Sequence, residues 1–437
     1  MTDSVNIRGI ALDILMEVLE NQQYSHLVIR DVLDKYQYLE KRERSFLTRI
    51  AEGTIERKIE LDYVVDQFSK MPVRKQKPVI RNILRMGVYQ LLHMDSVPDS
   101  AVCNEAVKLA KKRGFSQLSG FVNGVLRNIA RGREQIVWPD ENRDLLTNWE
   151  VTYSMPRWIL EQWERAYGRE RTRRILDAFG EQNPLTVRTN LNQISTEELV
   201  TKLEGEGVTV KRNMRLPYAL ELSGFDFLNG LESFLAGDFY IQDLSSMMVA
   251  HTADPKPGDY IIDVCAAPGG KSTHLAEMMR GTGMVEARDL TDYKVGLLEE
   301  NIARHGLTNM KAICWDATVF DEASVEKADI LICDLPCSGL GVMGKKTDIR
   351  YKMTPEKQGE LVQLQREILR TVCSYVKRGG TLVYSTCTIH TGENEENVEW
   401  FLQEHPEFTL VSREQMFPGD CGNDGFFIAK MKRNGNE

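Results

Sequence analysis

The sequence predicts an α/β protein: an open, mostly parallel sheet in the C-terminal half, preceded by an all-helical domain and a small α/β module. Three observations predict this. Apolar residues recur at three- and four-residue spacing over residues 1–135, short alternating segments occupy the middle, and strand-like runs alternate with helical ones from Phe239 onward. The domain bounds expected from these patterns are 1–137, 138–237 and 238–433. With 437 residues, several domains are expected on length alone, because one core seldom grows past about 250–300 residues.

The helical region shows its period in Ile10, Ile14, Leu15, Val18 and Leu19, in Phe46, Leu47 and Ile50, and in Ile80, Ile83, Leu84, Val88, Leu91 and Leu92. Breaks are expected at Met71-Pro72, at Val97-Pro98-Asp99-Ser100, where Ser100 is placed to cap the next helix, and at Arg113-Gly114. Basic residues line these helices: Lys70, Arg74, Lys75, Lys77, Arg81 and Arg85, then Lys108, Lys111, Lys112 and Arg113, then Arg127, Arg131 and Arg133. The net charge of −9 hides this asymmetry. Residues 1–137 hold 22 Lys and Arg against 17 Asp and Glu, and the remainder holds 33 against 47. A positive first domain on an acidic partner suits recruitment of a polyanion, although solvated helix faces account equally well for the charge taken alone.

Trp138-Pro139-Asp140 reads as a linker. An aromatic-bearing helix is expected from Pro156 to Gly168, with Trp158, Trp163 and Tyr167. Alternating segments at Leu185–Asn190 and Val208–Arg212, with a helix from Ser195 to Glu204 between them, indicate the small module. Its role is open between holding RNA and spacing two domains.

In the C-terminal half, strands are expected at Tyr260–Cys265, Met284–Arg288, Lys311–Cys314, Ile330–Cys333, Thr381–Ser385 and Phe426–Lys430, with helices such as Thr291–His305 and Pro355–Tyr375 between them. Ligands of such sheets sit beyond the carboxyl ends of the strands. The first strand runs into a loop of small residues, Cys265, Ala266, Ala267, Pro268, Gly269 and Gly270, followed by Lys271 and a helix start. A Walker A loop needs glycine where Cys265 stands, and no G-x-G-x-x-G is present, so both phosphate-binding readings fail. S-adenosylmethionine (SAM), with its ribose and methionine tail, is the remaining nucleotide-like ligand. An acidic residue follows each of four strands: Asp263, Asp289, Asp316 and Asp334. One alone is a common cap or turn residue; four in register point to a cofactor site.

Of eight scattered cysteines, two stand apart, Cys337 after Pro336 and Cys387 after Thr386, each at a strand end. A lone cysteine is usually a small buried hydrophobe. Two facing one crevice beside the candidate cofactor loop suit covalent catalysis, in which the thiolate is the reacting species. C5 of a pyrimidine is a poor nucleophile until a thiolate adds to C6 and makes it enamine-like. This chemistry requires one thiolate and does not choose between the two. The target base must be unstacked or single-stranded to be reached.

Four motifs, Asp263-Val264-Cys265-Ala266-Ala267-Pro268-Gly269-Gly270-Lys271, Asp334-Leu335-Pro336-Cys337-Ser338-Gly339, Ser385-Thr386-Cys387-Thr388 and Asp424-Gly425-Phe426-Phe427-Ile428-Ala429, together resemble RNA 5-methylcytosine methyltransferases of the NOL1/NOP2/Sun family. The helical region resembles the NusB family of RNA-binding domains in Ile80-Arg81-Asn82-Ile83-Leu84-Arg85-Met86-Gly87-Val88-Tyr89-Gln90-Leu91 and Phe121-Val122-Asn123-Gly124-Val125-Leu126-Arg127. The resemblance implies a class I SAM-methyltransferase sheet of Rossmann-like form, a NusB-like first domain, and methylation of cytosine C5 in small-subunit (16S) ribosomal RNA. It also implies roles: Cys387 attacks the base and Cys337 assists product release. Cys265, Ala266, Ala267, Pro268, Gly269, Gly270, Lys271, Asp289, Asp316 and Asp334 line the SAM site, with Asp334 also beside the cytosine. In DNA cytosine-C5 enzymes the Pro-Cys cysteine is the nucleophile instead. One departure from the family pattern is Arg288, a basic neighbour of Asp289.

Other classes are disfavoured. No apolar run approaches the roughly 18 residues of a membrane span, the N-terminus lacks the basic and apolar stretches of a secretory signal, and the cysteines form neither a disulfide framework nor a zinc pattern. A soluble, cytoplasmic, monomeric enzyme is expected, with ribosomal RNA as partner, no metal, no membrane and no obligate protein partner. An RNA-binding or assembly factor with a vestigial catalytic fold is the rival from another class, and a tRNA substrate is the rival within this one.

Overall fold

The computed structural model describes residues 5–181, 185–420 and 422–435. Cys421, residues 1–4 and Pro184 lie outside them. The chain divides into two compact units: one of residues up to Gly180 with Met343–Met353, the other of Glu181–Val342 with the rest.

The first unit is helical. Its helices include Ile7–Leu19, Lys41–Glu56, Lys58–Phe68, Pro78–His93, Asp99–Lys112 and Ser119–Arg131. Pro78–His93 forms their centre, with Ile80, Ile83, Leu84, Met86 and Val88 all but fully buried. Gly53 lets this helix approach: a Cβ there would lie 2.0 Å from the Tyr89 ring. Pro98 rather than Ser100 precedes the helix Asp99–Lys112, and no side chain caps it, so the expected Ser100 cap does not form. Ser100 falls inside the first turn, because the rigid φ of Pro98 already directs the chain into the helix.

Two of the basic residues turn out to be structural. Arg85 is 5% exposed and holds Asp62 through Nε at 2.6 Å, and Arg81 pairs with Glu20. Lys70, Arg74, Lys75, Lys77, Lys108, Lys111, Lys112, Arg113, Arg127, Arg131 and Arg133 remain exposed. The aromatic helix ends at Gly168 as expected, where a left-handed φ of 74° breaks the helical backbone, and a second helical stretch continues directly to Phe179. Met343–Met353 was not legible as part of this unit. Asp348 accepts from the Ser25 amide at 3.2 Å, and Tyr351 donates to the Glu56 carbonyl at 2.5 Å.

Among its described residues the second unit carries eleven strands: β1 Leu185–Thr189, β2 Thr209–Arg212, β3 Ala219–Ser223, β4 Phe239–Ile241, β5 Tyr260–Asp263, β6 Met284–Asp289, β7 Met310–Cys314, β8 Ala328–Asp334, β9 Val376–Thr386, β10 Phe408–Met416 and β11 Phe426–Arg433. The first four form a small antiparallel sheet in the order β2-β3-β1-β4. The others form one sheet in the order β10-β11-β9-β8-β5-β6-β7, parallel from β9 to β7 and antiparallel at β11 and β10.

This is the mostly parallel α/β sheet that the alternating pattern predicts, with β10 added; its exposed, polar run of residues gives little apolar signal. Strand alternation divides the core in two. Ile261, Val285, Ile330 and Val383 pack with Leu275, Met247 and Leu298 on one face, while Ile262, Leu331 and Leu382 pack with Ile368, Leu369 and Phe401 on the other. Among the described residues no helix is long and apolar enough to cross a membrane.

Candidate active site

The carboxyl ends of β5, β6, β8 and β9 converge on one crevice. After β5 the loop turns sharply at Gly269, whose φ of 108° favours glycine, and the helix Gly270–Met278 begins at once. Backbone bonds set the loop: the Ala266 amide donates to the Arg288 carbonyl at 2.8 Å, and the Gly269 amide to the Ala266 carbonyl at 2.8 Å. Asp289, at the end of β6, accepts from the Ala267 amide at 2.9 Å, from the Leu290 amide at 2.8 Å and from Lys294 Nζ at 2.8 Å. Pro268 offers its carbonyl to Asn301 Nδ2 at 2.9 Å and to the Tyr240 hydroxyl at 3.4 Å. Burial pushes the Cys265 thiol far up, so it stays protonated.

Arg288, the odd neighbour of Asp289, points to the opposite face of β6, where it bonds Glu286, Asp321 and Ser324. It therefore leaves Asp289 to the loop. Asp316 follows β7, and its Oδ1 accepts from the Thr318 amide at 2.9 Å and hydroxyl at 2.7 Å, which makes it a turn-forming residue in this state.

Carboxylates and loop amides are the groups that bind ribose hydroxyls and an amino-acid tail. Asp263 adds an observation to that donor set. It is 1% exposed, its Oδ2 accepts from the Ser272 hydroxyl, and its Oδ1 is buried with no hydrogen-bond partner among the described residues. A buried acceptor without a donor costs about 1–3 kcal/mol, and a cationic amino group would satisfy it. Burial, with nearby Asp334, pushes the Asp263 carboxyl up to about 7 despite Ser272 and Lys271. The residues present thus fit SAM. Among the described residues no three His, Cys, Asp or Glu converge as a metal site would need.

Cys337 and Cys387 meet with their Sγ atoms 3.3 Å apart. The register pairs Asp334 with Ser385, which carries the residues beyond β8 and β9 side by side. Asp334 sits between two donors, the Ser385 hydroxyl at 2.8 Å and Lys271 Nζ at 2.6 Å. Burial works against charge on Lys271, yet Asp334, Cys387 and Asp263 raise its pKa above the ordinary lysine value. The hydrogen bond to Cys387 pushes the Cys337 thiol well up, as do burial and the Glu393 carboxylate. Among the other cysteines, Cys103, Cys333 and Cys373 are buried and Cys314 is exposed.

Several residues that hold the two cysteines were not anticipated from the sequence. Ser338 and Thr388, the residues after each cysteine, bond to each other through their hydroxyls at 2.8 Å. Glu393, fully buried, accepts from the Ser338 amide at 2.8 Å, the Ser338 hydroxyl at 2.5 Å and Gln365 Nε2 at 3.1 Å, and lies 3.2 Å from His390 Nδ1. Gly341 donates to the Cys387 carbonyl at 3.1 Å and accepts from the Gly425 amide at 2.9 Å. The backbones touch so closely that a Cβ on Gly341 would lie 1.9 Å from the Gly425 carbonyl oxygen. Ser338, Thr388 and Gly425 stand within the quoted motifs, whereas Glu393 lies outside them, in the polar run Thr391-Gly392-Glu393-Asn394.

Comparison with known proteins matches three stretches of the chain. Residues 250–432 match the family described as 16S rRNA methyltransferase RsmB/F, residues 5–131 the NusB family, and residues 155–225 the ferredoxin-like domain of RsmF/B-like methyltransferases. The chain is 37% identical to the probable ribosomal RNA small subunit methyltransferase B of Bacillus subtilis (strain 168), over 98% of this chain and 99% of that one. It is 34% identical to the protein of the same description from Synechocystis sp. (strain ATCC 27184 / PCC 6803 / Kazusa), over 98% of this chain and 100% of that one. Among solved structures, that of PH0851 superposes with a TM-score of 0.84 at 28% identity, covering 98% of this chain and 99% of its own. A methyltransferase homolog protein from Pyrococcus horikoshii gives a TM-score of 0.59 at 28% identity, covering 66% of this chain and 99% of its own.

Proposed function

The chain belongs to the family of ribosomal RNA small subunit methyltransferases B, and on that premise we propose that it methylates C5 of a specific cytosine in 16S ribosomal RNA, with Cys387 as nucleophile. It is a methyltransferase by family, and the catalytic route and the base are the proposal. SAM, when bound, supplies an electrophilic methyl group. The residues that would hold it are Cys265, Ala266, Ala267, Pro268, Gly269, Gly270 and Lys271, with Asp263, Asp289, Asp316 and Asp334.

The observation that carries the reading is the meeting of the two sulfurs, 3.3 Å apart, beyond the paired ends of β8 and β9. The choice of Cys387 follows the family resemblance of the Thr386-Cys387 motif, and the raised Cys337 thiol, beside Cys387, buried and near the Glu393 carboxylate, supports Cys337 as the protonated partner. The Cys387 thiolate adds to C6, forming an S–C6 bond and moving the ring electrons toward C5. Asp334 holds the N3 side of the ring, where the proton is needed. As C5 takes the methyl group, the donor's S–CH3 bond would break and leave the neutral thioether; a base then removes the C5 proton, N3 gives up its proton, the S–C6 bond breaks and the thiolate leaves, with Cys337 assisting release.

The reading includes a cytoplasmic enzyme that acts as a monomer and binds RNA through its helical unit. Cys387→Ala should abolish methyl transfer, while Cys337→Ala should accumulate a covalent RNA adduct visible on denaturing gels. An adduct that survives loss of Cys387 would reverse the assignment. Bisulfite sequencing of ribosomal RNA with and without the gene identifies the base, and an unchanged 16S pattern would remove the substrate.

A further inference from the structure

The most unusual charge in the second unit lies outside the motifs. Arg188, on β1 of the small sheet, is 1% exposed, and all five of its N–H donors are engaged. Nε and Nη2 form a two-point bond with Glu277 at 3.0 and 2.8 Å. Nη2 also donates to the Thr273 hydroxyl at 3.0 Å, and Nη1 to the Gly270 carbonyl at 2.8 Å and to Gln242. Gly270, Thr273 and Glu277 share one face of the helix that follows the cofactor loop, spaced by three and four residues. The small sheet also holds the other end of the loop: Tyr240 of β4 lies under the guanidinium at 5.3 Å and reaches the Pro268 carbonyl with its hydroxyl.

Stability alone does not account for this arrangement. A buried ion pair repays its desolvation poorly, and apolar residues of similar volume usually serve as well or better. The helix dipole is also opposed, since a cation binds near the N-terminus at Gly270 and a carboxylate stands in the last turn at Glu277. What the arrangement does supply is direction: a rigid, planar fork fixes the helix start and its rotation as an apolar contact would not.

We propose that Arg188 is a positioning residue that holds the loop Cys265–Gly270 in the conformation that receives SAM, which makes the small module part of the cofactor site's scaffold. The proposal rests on the reading of this loop as the SAM site. It also gives the module a role that its sequence left open.

The test uses the full chain with three variants, Arg188→Lys, Arg188→Met and the double variant Arg188→Met/Glu277→Met, which leaves no unpaired buried charge. SAM affinity is measured by calorimetry without RNA, and amide hydrogen exchange of residues 265–271 is measured without SAM. The double variant should fold with a near-native Tm, bind SAM about tenfold more weakly, and exchange faster in the loop. In steady state its KM for SAM should rise, while KM for RNA and kcat at saturating SAM stay near wild type. A folded double variant with wild-type SAM affinity and loop protection overturns the proposal. Wild-type protein that binds no SAM overturns the cofactor reading instead, and the loop exchange then still decides whether Arg188 sets the loop.

Discussion

Asp263 shows how a single residue can weigh function against stability. Its carboxyl is raised to about 7, first by burial, while the unfolded chain titrates near the ordinary aspartate value. The sign follows from linkage: between about pH 4 and 7 the fold binds the proton that the unfolded chain has lost, so stability falls as pH rises. Below that window the residue is neutral in both states and costs nothing. Above it the full penalty applies, on the order of 4 kcal/mol at about 1.4 kcal/mol per unit. Asp263→Asn should therefore flatten the decline of stability between pH 5 and 7.5 in denaturant titrations while weakening SAM binding. A slope identical to wild type would show that the carboxyl is already ionised in the fold. The strand-end position of this residue was legible, because β5 reads plainly as a buried strand. Its raised pKa was not, since that depends first on burial within the fold and then on Asp334 arriving from another strand.

At the level of elements, the segment after Cys387 does more than lead into the helix Glu395–Glu404. Glu393 ties the residue after Cys337 to Gln365 on the helix Pro355–Val372, so one buried carboxylate spans three elements. Glu393→Ala leaves the buried Ser338 amide without its acceptor and removes one bond each from the Ser338 hydroxyl and Gln365, which keep Thr388 and the Pro336 carbonyl. The expected loss is about 2–4 kcal/mol, with faster hydrogen exchange at residues 337–342 and 387–390. A loss under about 0.5 kcal/mol, the usual range for surface substitutions, would mean that the Ser338–Thr388 bond and the Gly341–Gly425 contact suffice. Sequence reasoning found both cysteines and passed over this carboxylate, because a single Glu in a polar run carries no periodic or motif signal. Only the fold buries them.

At the level of the whole molecule, the positive charge of the first unit is divided between structure and surface. Arg81 and Arg85 are taken up by Glu20 and Asp62, whereas Lys111 and Lys112 extend from the end of their helix. If the unit binds RNA through the exposed set, affinity falls as salt rises, because each phosphate contact releases counterions. Lys111→Gln with Lys112→Gln should reduce the slope of log K against log salt by about 1–2. The Arg81–Glu20 pair should contribute nothing to that slope. A double variant with the wild-type slope would place the contacts elsewhere, and a flat response of the intact chain would remove the recruiting role altogether.

The sequence by itself determined the class of the fold, the order of helical, mixed and parallel-sheet regions, and the motif residues at the strand ends. These depend on local periodicity and on short stretches that act within one turn or one loop. The tertiary structure decided what required distant residues to meet. It brought the Cys337 and Cys387 sulfurs within 3.3 Å of each other, and it turned Arg288 away from Asp289. It also brought Arg188 across 82 residues to the Gly270 carbonyl. Charge environment and buried pairing are properties of three-dimensional neighbours, and no pattern along the chain encodes them.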